Sequence, residues 1–308
     1  MLGKISTDAA AERRIPTPRR STLERRQRQQ NRRFSREVGR LALRCLHDEL
    51  MLYPKPGLVS PIDSGSHDDM DATTFMRSLF ALRHFFVRIT EAGQQRAAFP
   101  VLKQLGIDAE ARMLAATGGV NTHRGAIFTL GLLCAALGHC QASHIVLLPH
   151  AIRAALLIQW GDALSDHARD TSADSHGALV ASAFGIGGVR EEAALGFPAV
   201  FDIGMPALQQ ALDAGRDSRC AQIDVLMALM AKVADSTVYH RGGEKGAAMV
   251  RNDAQAFLDR GATSQSGGKE QLLYMHQNFI KHRLSPGGSA DLLAASLLVQ
   301  RATGIIIG

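Results

Sequence analysis

The chain has 308 residues, of which 46% are hydrophobic and 21% are charged, a composition that excludes global disorder. Aromatic residues make up only 5%, which disfavours β-sandwiches and β-barrels because their strands are rich in aromatic and β-branched side chains. The formal net charge of +6 comes from residues 1–34, where ten Lys and Arg stand against three acidic residues, so the rest of the chain is close to neutral.

The N-terminal segment, residues 1–34, is rich in Arg and Gln and is broken by Pro16 and Pro18. It has no apolar face to bury, so it predicts a disordered tail or a fraying helix, although an organellar presequence has a similar composition. It lacks the apolar stretch of a secretory signal, and the four cysteines include no CxxC pair. We therefore expect a basic tail over residues 1–34, an all-helical domain over residues 35–308 and a cytoplasmic location.

From Arg36 onward, apolar residues recur at helical spacing and period-two alternation is almost absent. The first predicted helix ends at residues 53–57, where two prolines and a glycine stop it. The other predicted helices span residues 75–89, 107–114, 126–137, 145–160, 178–184, 205–212, 223–233, 247–258, 271–281 and 290–300. The run at 126–137 is shorter than the about 20 residues that cross a bilayer, so we expect no membrane span. The fold class predicted is all-α, a single multi-helix bundle whose Gly-rich loops form the site.

Five short segments rich in Gly, Pro, His and charge interrupt the predicted helices, and they span residues 53–71, 117–125, 174–198, 235–246 and 284–291. Loops of this kind carry binding and catalytic residues on a rigid scaffold. Gly-rich helix entries with basic residues favour a polyphosphate ligand, and acidic clusters favour the Mg²⁺ that accompanies it. We expect the five segments to converge on one cavity.

The first segment carries both signs of charge. Lys55 lies between two prolines and cannot sit inside a helix, so we expect its ammonium to be free for an anion, while Gly57 allows close approach to the backbone. Asp68, Asp69 and Asp71 form an acidic cluster. If a helix begins here, Asp68 and Asp71 share a face and can bind Mg²⁺. The alternative is that these carboxylates only stabilise a helix N-terminus.

The second segment, residues 117–125, places Gly118 and Gly119 ahead of a predicted helix, with Asn121 as a capping residue and Arg124 in the first turn. This arrangement predicts an anion site made from backbone N–H groups and the helix dipole. The alternative is an ordinary capped turn.

The remaining three segments are weaker signals when taken singly. The third contains the acidic pair Glu191 and Glu192, which can serve as a metal ligand or a base, although solvent-exposed pairs of this kind are common. The fourth contains His240 and Arg241 beside two glycines, a combination suited to phosphate. The fifth is a Gly-rich helix entry in which Ser289 is the expected N-cap. For each of the last two, a loop with a helix cap is the alternative.

The segments resemble the triphosphoribosyl-dephospho-CoA synthase family over about residues 37–303. The motifs that carry the resemblance are Tyr53-Pro-Lys-Pro-Gly-Leu-Val59, His67-Asp-Asp-Met-Asp71, Thr117-Gly-Gly-Val-Asn-Thr-His123, Gly125-Ala-Ile-Phe128, His240-Arg-Gly-Gly243 and Ser285-Pro-Gly-Gly-Ser-Ala-Asp-Leu-Leu293. Residues 58–61 and 110–114 are more similar to the malonate decarboxylase branch than to the citrate lyase branch. The chain departs from the family at residues 190–192, where Arg-Glu-Glu replaces the usual Arg-Gly-Glu.

The resemblance implies a transferase that joins ATP and 3′-dephospho-CoA with release of adenine. The 2′-hydroxyl of dephospho-CoA would displace adenine from C1 of the ATP ribose with inversion, leaving the triphosphate attached. The product is the precursor of the prosthetic group of an acyl carrier protein and would pass to a holo-acyl-carrier-protein synthase. A homodimer is compatible with the sequence.

The chemistry and the motif membership together assign candidate roles. Asp68, Asp69 and Asp71 would hold Mg²⁺ or act as the base, with Asp68 and Asp71 as the metal ligands and Glu192 as the second candidate base. His67 would protonate adenine or cap a turn. The candidate substrate-binding residues are Lys55, Gly57, Gly118, Gly119, Asn121, His123, Arg124, His240, Arg241, Gly287, Gly288 and Ser289.

Two other classes of protein are considered. A Mg²⁺-dependent ADP-ribosyl hydrolase is also helical with scattered acidic clusters, and differs in needing no dephospho-CoA as acceptor. A nucleic-acid-binding protein built on the Arg-rich tail is disfavoured, because the rest of the chain is near neutral and has no recognisable groove-binding element.

Overall fold

Ala, Leu and Met dominate the apolar runs of this chain, and because all three favour helices, the runs fold as helices. The structure is a computed structural model that describes residues 18–170, 184 and 186–305. Within those residues it contains no strand, and the all-α prediction is confirmed. The α-helices are α1 (Pro18–Met51), α2 (Ala72–Leu82), α3 (Phe85–Gln94), α4 (Phe99–Thr117), α5 (Arg124–Ala142), α6 (Pro149–Arg169), α7 (Val189–Ala194), α8 (Met205–Asp213), α9 (Ser218–Lys232), α10 (Ser236–Asp259), α11 (Gly268–Lys281) and α12 (Gly287–Ala302).

Helix α5 is the central helix of the bundle. It packs against α1, α3, α4, α6, α7 and α12, and residues 129–141 of it are all buried. It is long and apolar enough to cross a membrane by composition, but 83% of its most apolar window is buried inside the protein. Its hydrophobicity is therefore accounted for by packing against the surrounding helices.

Helices α3 and α5 cross at glycines. A Cβ on Gly93 would overlap the backbone carbonyl oxygen of Ala135, and a Cβ on Gly138 would overlap that of Thr90. The two glycines therefore let each helix backbone approach the other at two successive points. This close crossing fixes α3 against the central helix.

Several predicted helix boundaries are wrong. Helix α1 begins at Pro18, inside the segment for which a disordered tail or a fraying helix was expected, because Arg and Gln favour helices and Phe34 is buried against the core. The predicted helix over 75–89 is two helices, separated by a turn at Arg83 and His84 that no Gly or Pro signals. Residues 178–183 of another predicted helix lie outside the described residues.

Two further elements differ from expectation. The fourth segment, predicted as a loop, belongs to α10, which is interrupted only at Gly243 with φ 59° and ψ −158°. Helix α7 and the π-helical turn Ala199–Gly204 lie within and beyond the third segment and were not predicted. Helix α7 places Arg190, Glu191 and Glu192 at the wall of the cavity described next, and the π-helical turn adds the apolar residues Ala199 and Ile203.

Candidate active site

One cavity of about 1110 Å³ lies where the five polar segments meet. Each segment contributes to its wall, so the predicted convergence is confirmed. Of the residues predicted to form the site, those that line the cavity are His67, Asp69, Asn121, His123, Arg124, Glu192, His240, Arg241, Gly287 and Gly288. Those that do not are Lys55, Gly57, Asp68, Asp71, Gly118, Gly119 and Ser289.

Lys55 is buried behind the cavity wall with 1% of its surface exposed. Its Nζ donates to Glu49 Oε1 at 2.6 Å and to the Glu49 carbonyl oxygen at 2.7 Å. Burial lowers the pKa of Lys55, and the Glu49 carboxylate opposes that shift. The expectation of a free ammonium is wrong, because the residues that follow α1 fold the lysine back onto its last turn. Glu49, which the sequence did not single out, lines the cavity instead.

Gly57 forms a turn that packs against α11. It has φ 73°, and its N–H donates to Nδ1 of the fully buried His276 at 3.1 Å. The opposite nitrogen of His276 lies 3.1 Å from the Asp63 carboxylate, which fixes the ring. A Cβ at Gly57 would overlap the Leu284 carbonyl oxygen. Gly57 is therefore required by packing within the protein. The sequence did not predict the anchoring role of His276, because it shows only a single histidine in a helical run.

The acidic cluster does not adopt the predicted geometry. Helix α2 begins at Ala72, and Asp71 is its N-cap, accepting from Thr74 N and Thr74 Oγ1 at 2.8 Å each. These hydrogen bonds hold the pKa of Asp71 below its usual range. Asp68 lies before the helix, so it shares no helix face with Asp71. Only Asp69 of this cluster reaches the cavity, with a side chain that is 60% exposed.

His67 joins three segments. Arg241 donates from Nη2 to His67 Nδ1 at 3.0 Å and from Nη1 to the Ser66 carbonyl oxygen at 2.8 Å. Because a guanidinium only donates, Nδ1 accepts, and Nε2–H donates to Ser285 Oγ at 2.8 Å. Burial, followed by Arg241, lowers the pKa of His67. Both ring nitrogens thus have protein partners, which supports the capping role over protonation of a ligand.

The glycines of the second segment end α4 and do not open α5. Gly118 is the left-handed C-cap with φ 69°, and Gly119 follows with φ 91°. A Cβ on either glycine would meet open space, so only the backbone conformation requires glycine. Asn121 Oδ1 accepts from the N–H of Arg124 at 3.1 Å, and the guanidinium pairs with Glu110 through Nε at 2.6 Å. The predicted backbone anion site at these glycines is therefore not formed.

His123 is buried on the cavity wall with 3% of its surface exposed. Its Nδ1 lies 2.6 Å from Ser78 Oγ, and its ring meets the Phe75 ring edge-on at 4.9 Å between centroids. Burial, followed by the charge of Lys55, lowers its pKa to about 3. An uncharged imidazole cannot hold phosphate by charge, which argues against the predicted role. Its Nε2 has no hydrogen-bond partner within the protein.

One carboxylate joins the entries of α10 and α12. Asp235 Oδ1 accepts from Thr237 N at 3.0 Å and Oγ1 at 2.5 Å, and Oδ2 accepts from Ser289 N at 2.8 Å and Oγ at 3.1 Å. A Cβ on Gly288 would lie 3.0 Å from Asp235 Oδ1, so the glycine gives this carboxylate its space. Ser289 is the third residue of α12 and not its N-cap. The anion at this helix entry is therefore the protein's own Asp235.

Glu192 lies on α7 and lines the cavity. Its Oε2 accepts from Ala199 N at 3.1 Å, and burial raises its pKa. Glu191, which replaces the glycine of the family pattern, has no positive φ, since the turn is helical here. The departure from the family pattern thus causes no backbone strain.

Basic side chains from several elements surround the cavity. Those that line it are Lys103, Arg124, Arg190, Lys232, His240 and Arg241. Lys103 and Lys232 were missed because each is a single charged residue within a predicted or apolar helical stretch, and such a residue predicts only a solvent-exposed position. The wall also carries acidic side chains, so the cavity offers basic groups suited to phosphate beside carboxylates.

Asp291 is a further residue that the sequence did not single out as a site residue. It lines the cavity from α12, where a Cβ on Gly125 would overlap its Oδ2. Burial, then the carboxylates of Glu49 and Asp235, raise its pKa well above the usual value, and the N–H of Ala126 opposes this. The protonated form of this carboxyl group, which faces the cavity, is therefore favoured by its surroundings.

Comparison with known proteins gives a consistent result. A family model described as ATP:dephospho-CoA triphosphoribosyl transferase matches residues 35–305. The chain is 39% identical over 263 residues to a probable 2-(5″-triphosphoribosyl)-3′-dephosphocoenzyme-A synthase of Acinetobacter calcoaceticus, covering 85% of this chain and 89% of the relative. It is 41% identical over 273 residues to a relative of the same name from Pseudomonas putida, covering 86% and 94%. No solved structure matches.

Proposed function

The chain belongs to the ATP:dephospho-CoA triphosphoribosyl transferase family, and from this premise we propose that it joins the 5-triphosphoribosyl group of ATP to the 2′-hydroxyl of 3′-dephospho-CoA. The observation that carries the proposal is the single cavity of about 1110 Å³ on which all five segments converge. Ligand pockets measure about 300–1,000 Å³, so this cavity is at the large end of the range, and we propose that it receives both substrates. Its wall combines cations for phosphates with carboxylates for proton transfer.

The reaction breaks the bond between C1 of the ATP ribose and the adenine ring and forms a bond from C1 to the 2′-oxygen of dephospho-CoA. The hydroxyl loses a proton and the departing base gains one, so the overall charge balances. We assign Glu192 as the base that takes the hydroxyl proton, because a raised pKa makes its carboxylate a stronger base. The oxocarbenium-like sugar then needs no covalent link to the protein.

The cations of the wall are assigned to the phosphates. We divide the basic residues that line the cavity into two sides by the helices that carry them, with Lys103, Arg190 and Lys232 on α4, α7 and α9, and His240 and Arg241 on α10. Arg presents a planar fork to phosphate oxygens, and Lys acts as a point charge. We place the triphosphate and the pyrophosphate of dephospho-CoA against these two basic sides.

Mg²⁺ is proposed to arrive with ATP. The described residues contain no group of three His, Cys, Asp or Glu side chains arranged to hold a metal ion. A Mg²⁺ ion carried by a triphosphate needs no such group, because it binds only one or two protein carboxylates besides phosphate oxygens and water. Asp69 is the carboxylate of the acidic cluster that lines the cavity, and we assign it to this ion in place of Asp68 and Asp71.

The defining experiment uses mass spectrometry of a reaction containing the protein, ATP, Mg²⁺ and dephospho-CoA. We expect one equivalent of free adenine for each joined product that retains the triphosphate. A reaction that releases adenine without dephospho-CoA would contradict the proposal and indicate hydrolysis. The comparisons lend no support to the ADP-ribosyl hydrolase considered above.

Asp69→Asn is expected to raise the Mg²⁺ concentration needed for half-maximal activity about tenfold, because the variant loses a charged ligand of the ion. The measurement is a Mg²⁺ titration of adenine release, together with a direct titration of Mg·ATP binding. Asp71→Asn is the matched comparison, and we expect it to leave the titration unchanged since Asn also caps helices well. Equal shifts in the two variants would restore the sequence-based assignment of Asp71.

The biological setting is proposed on the sequence resemblance. From the resemblance of residues 58–61 and 110–114, we propose that the chain belongs to the malonate decarboxylase branch, where the product would pass to a holo-acyl-carrier-protein synthase in the cytoplasm. Leu58, Val59 and Glu110 all line the cavity, which supports a link between these segments and the reaction. Loss of the prosthetic group from malonate decarboxylase in a strain lacking this chain would test the assignment. Sedimentation of the purified protein would test the homodimer.

A further inference from the structure

A buried group of polar residues at the base of the cavity has no role in the assignments above. Glu49 and Asp291 line this region from α1 and α12, and His123 and Thr129 line it from the start of α5 and its second turn. Lys55 lies behind them and pairs with Glu49. These three helices contact one another directly. We call these five residues the Asp291 cluster.

The cluster and its neighbour Thr122 contain buried polar atoms that no protein group satisfies. His123 Nε2, Thr129 Oγ1 and Thr122 Oγ1 all belong to residues lining this cavity, and they are three of the four such side-chain atoms among the described residues. His123 and Thr129 are 3% and 1% exposed. Buried polar atoms nearly always have partners in native proteins, so their concentration in residues of this wall is the observation from which we infer a polar ligand.

The ligand that fits these atoms is an uncharged, hydrogen-bonding planar group. His123 is neutral, and the only cation of the cluster, Lys55, is bonded to Glu49. Phosphate would find no free positive charge at this place. Phe75, Phe128 and Leu132 line the same cavity and provide apolar contact for a flat ring. A nucleobase combines these properties, having ring nitrogens on its edges and apolar faces.

Asp291 stands out within the cluster by the groups that surround it. Glu49 of α1 and Asp235 at the entry of α10 are the charged groups that face it, and both are carboxylates. From α5 it receives the N–H of Ala126, while Lys55 is held by Glu49. Burial and the two carboxylates raise the pKa of Asp291 and so favour its protonated form. Gly125 gives it room, since a Cβ there would overlap Oδ2.

We propose that the Asp291 cluster binds the adenine of ATP and that Asp291 is the catalytic residue that donates a proton to the departing base. This proposal rests on the function proposed above. The bond between C1 and the base breaks with its electron pair on adenine, and the O–H proton of Asp291 passes to a ring nitrogen. The 2′-oxygen bonds to C1 while its proton passes to Glu192, and exchange with water returns both carboxyl groups to their starting states. Proton transfer of this kind contributes about 10²–10⁴-fold to a rate.

The test is Asp291→Asn, which keeps the shape of the side chain and removes the acid. With ATP we expect kcat to fall at least a hundredfold with KM within about threefold of wild type. Wild-type activity falls as pH rises through the pKa of Asp291, and this alkaline limb is absent in the variant. Asp253→Asn is the matched control, because burial also raises the pKa of Asp253 but it lies away from the cavity. Its kcat and pH profile remain those of wild type.

A second substrate separates proton donation from a structural effect. N7-methylated ATP carries a base that leaves without protonation, so Asp291→Asn is expected to regain activity with it to within about tenfold of wild type. An Asp291→Asn protein that retains more than a tenth of wild-type kcat with ATP would overturn the proposal, and so would one equally impaired with both substrates. If that variant does not fold, the wild-type pH profiles decide, since an alkaline limb shared by both substrates also overturns it. Wild-type protein that fails to join ATP and dephospho-CoA would instead contradict the proposed function.

Discussion

Lys55→Met is expected to lower the free energy of unfolding by about 3–5 kcal/mol. The substitution removes both donors to Glu49 and leaves that carboxylate buried, with 5% of its surface exposed and no cation beside it. A buried charge without its partner keeps the whole desolvation penalty, which exceeds what the pair itself contributes. Urea denaturation followed by circular dichroism measures the loss.

Two further variants make this result specific to the buried pair. Glu49→Leu combined with Lys55→Met removes both charges, and we expect it to recover most of the lost stability. Arg169→Met removes the cation from the exposed pair with Asp166, whose side chains are 75% and 77% exposed, and we expect a change within about 0.5 kcal/mol. Equal losses from Lys55→Met and Arg169→Met would show that Lys55 is not an anchor of the fold.

Gly93→Ala is expected to destabilise the protein by about 3 kcal/mol, at the upper end of ordinary overpacking. Its new methyl group would overlap the carbonyl oxygen of Ala135, a backbone atom in the central helix that cannot rotate away. Helices α3 and α5 must therefore separate, which also disturbs the second glycine contact at Gly138. Thermal or urea unfolding measures the change.

Gly106→Ala is the matched control for that prediction. Gly106 also lies inside a helix, but nothing stands within 4 Å of where its Cβ would be. Alanine there is expected to stabilise the protein by about 0.5–1 kcal/mol, because glycine loses more backbone freedom on folding. Opposite signs at positions 93 and 106 are the expected outcome, and destabilisation at both would point to helix propensity instead of packing.

Much of the fold was predictable because local signals and tertiary packing agree. Apolar residues at helical spacing predicted most helices, and clusters of Gly, Pro and charge predicted the segments that meet at the cavity. The break between α2 and α3 was not predictable, since Leu82, Phe85 and Phe86 are all buried and continue the helical pattern across it. Tertiary packing alone ends the helix at that point.

The candidate site was predictable in its location and less so in its roles. From the sequence, Lys55 was expected to bind an anion because no acidic partner stands beside it between the two prolines. Its partner Glu49 lies in the preceding helix, and only the folded turn brings the two side chains together. The position of Asp291 in the first turn of a helix gave no reason to single it out, because no sequence pattern indicates that Glu49 and Asp235 face it from elsewhere in the fold. Roles that depend on contacts distant in sequence are invisible to spacing and composition.

Asp235 ties the entries of α10 and α12 to each other. A single carboxylate is shared by Thr237 and Ser289, so a change at any one of the three positions alters the requirements of the other two. Among related sequences we expect these positions to change together rather than one at a time. An alignment of the family should therefore show covariation among positions 235, 237 and 289, so that the entries of the two helices vary together.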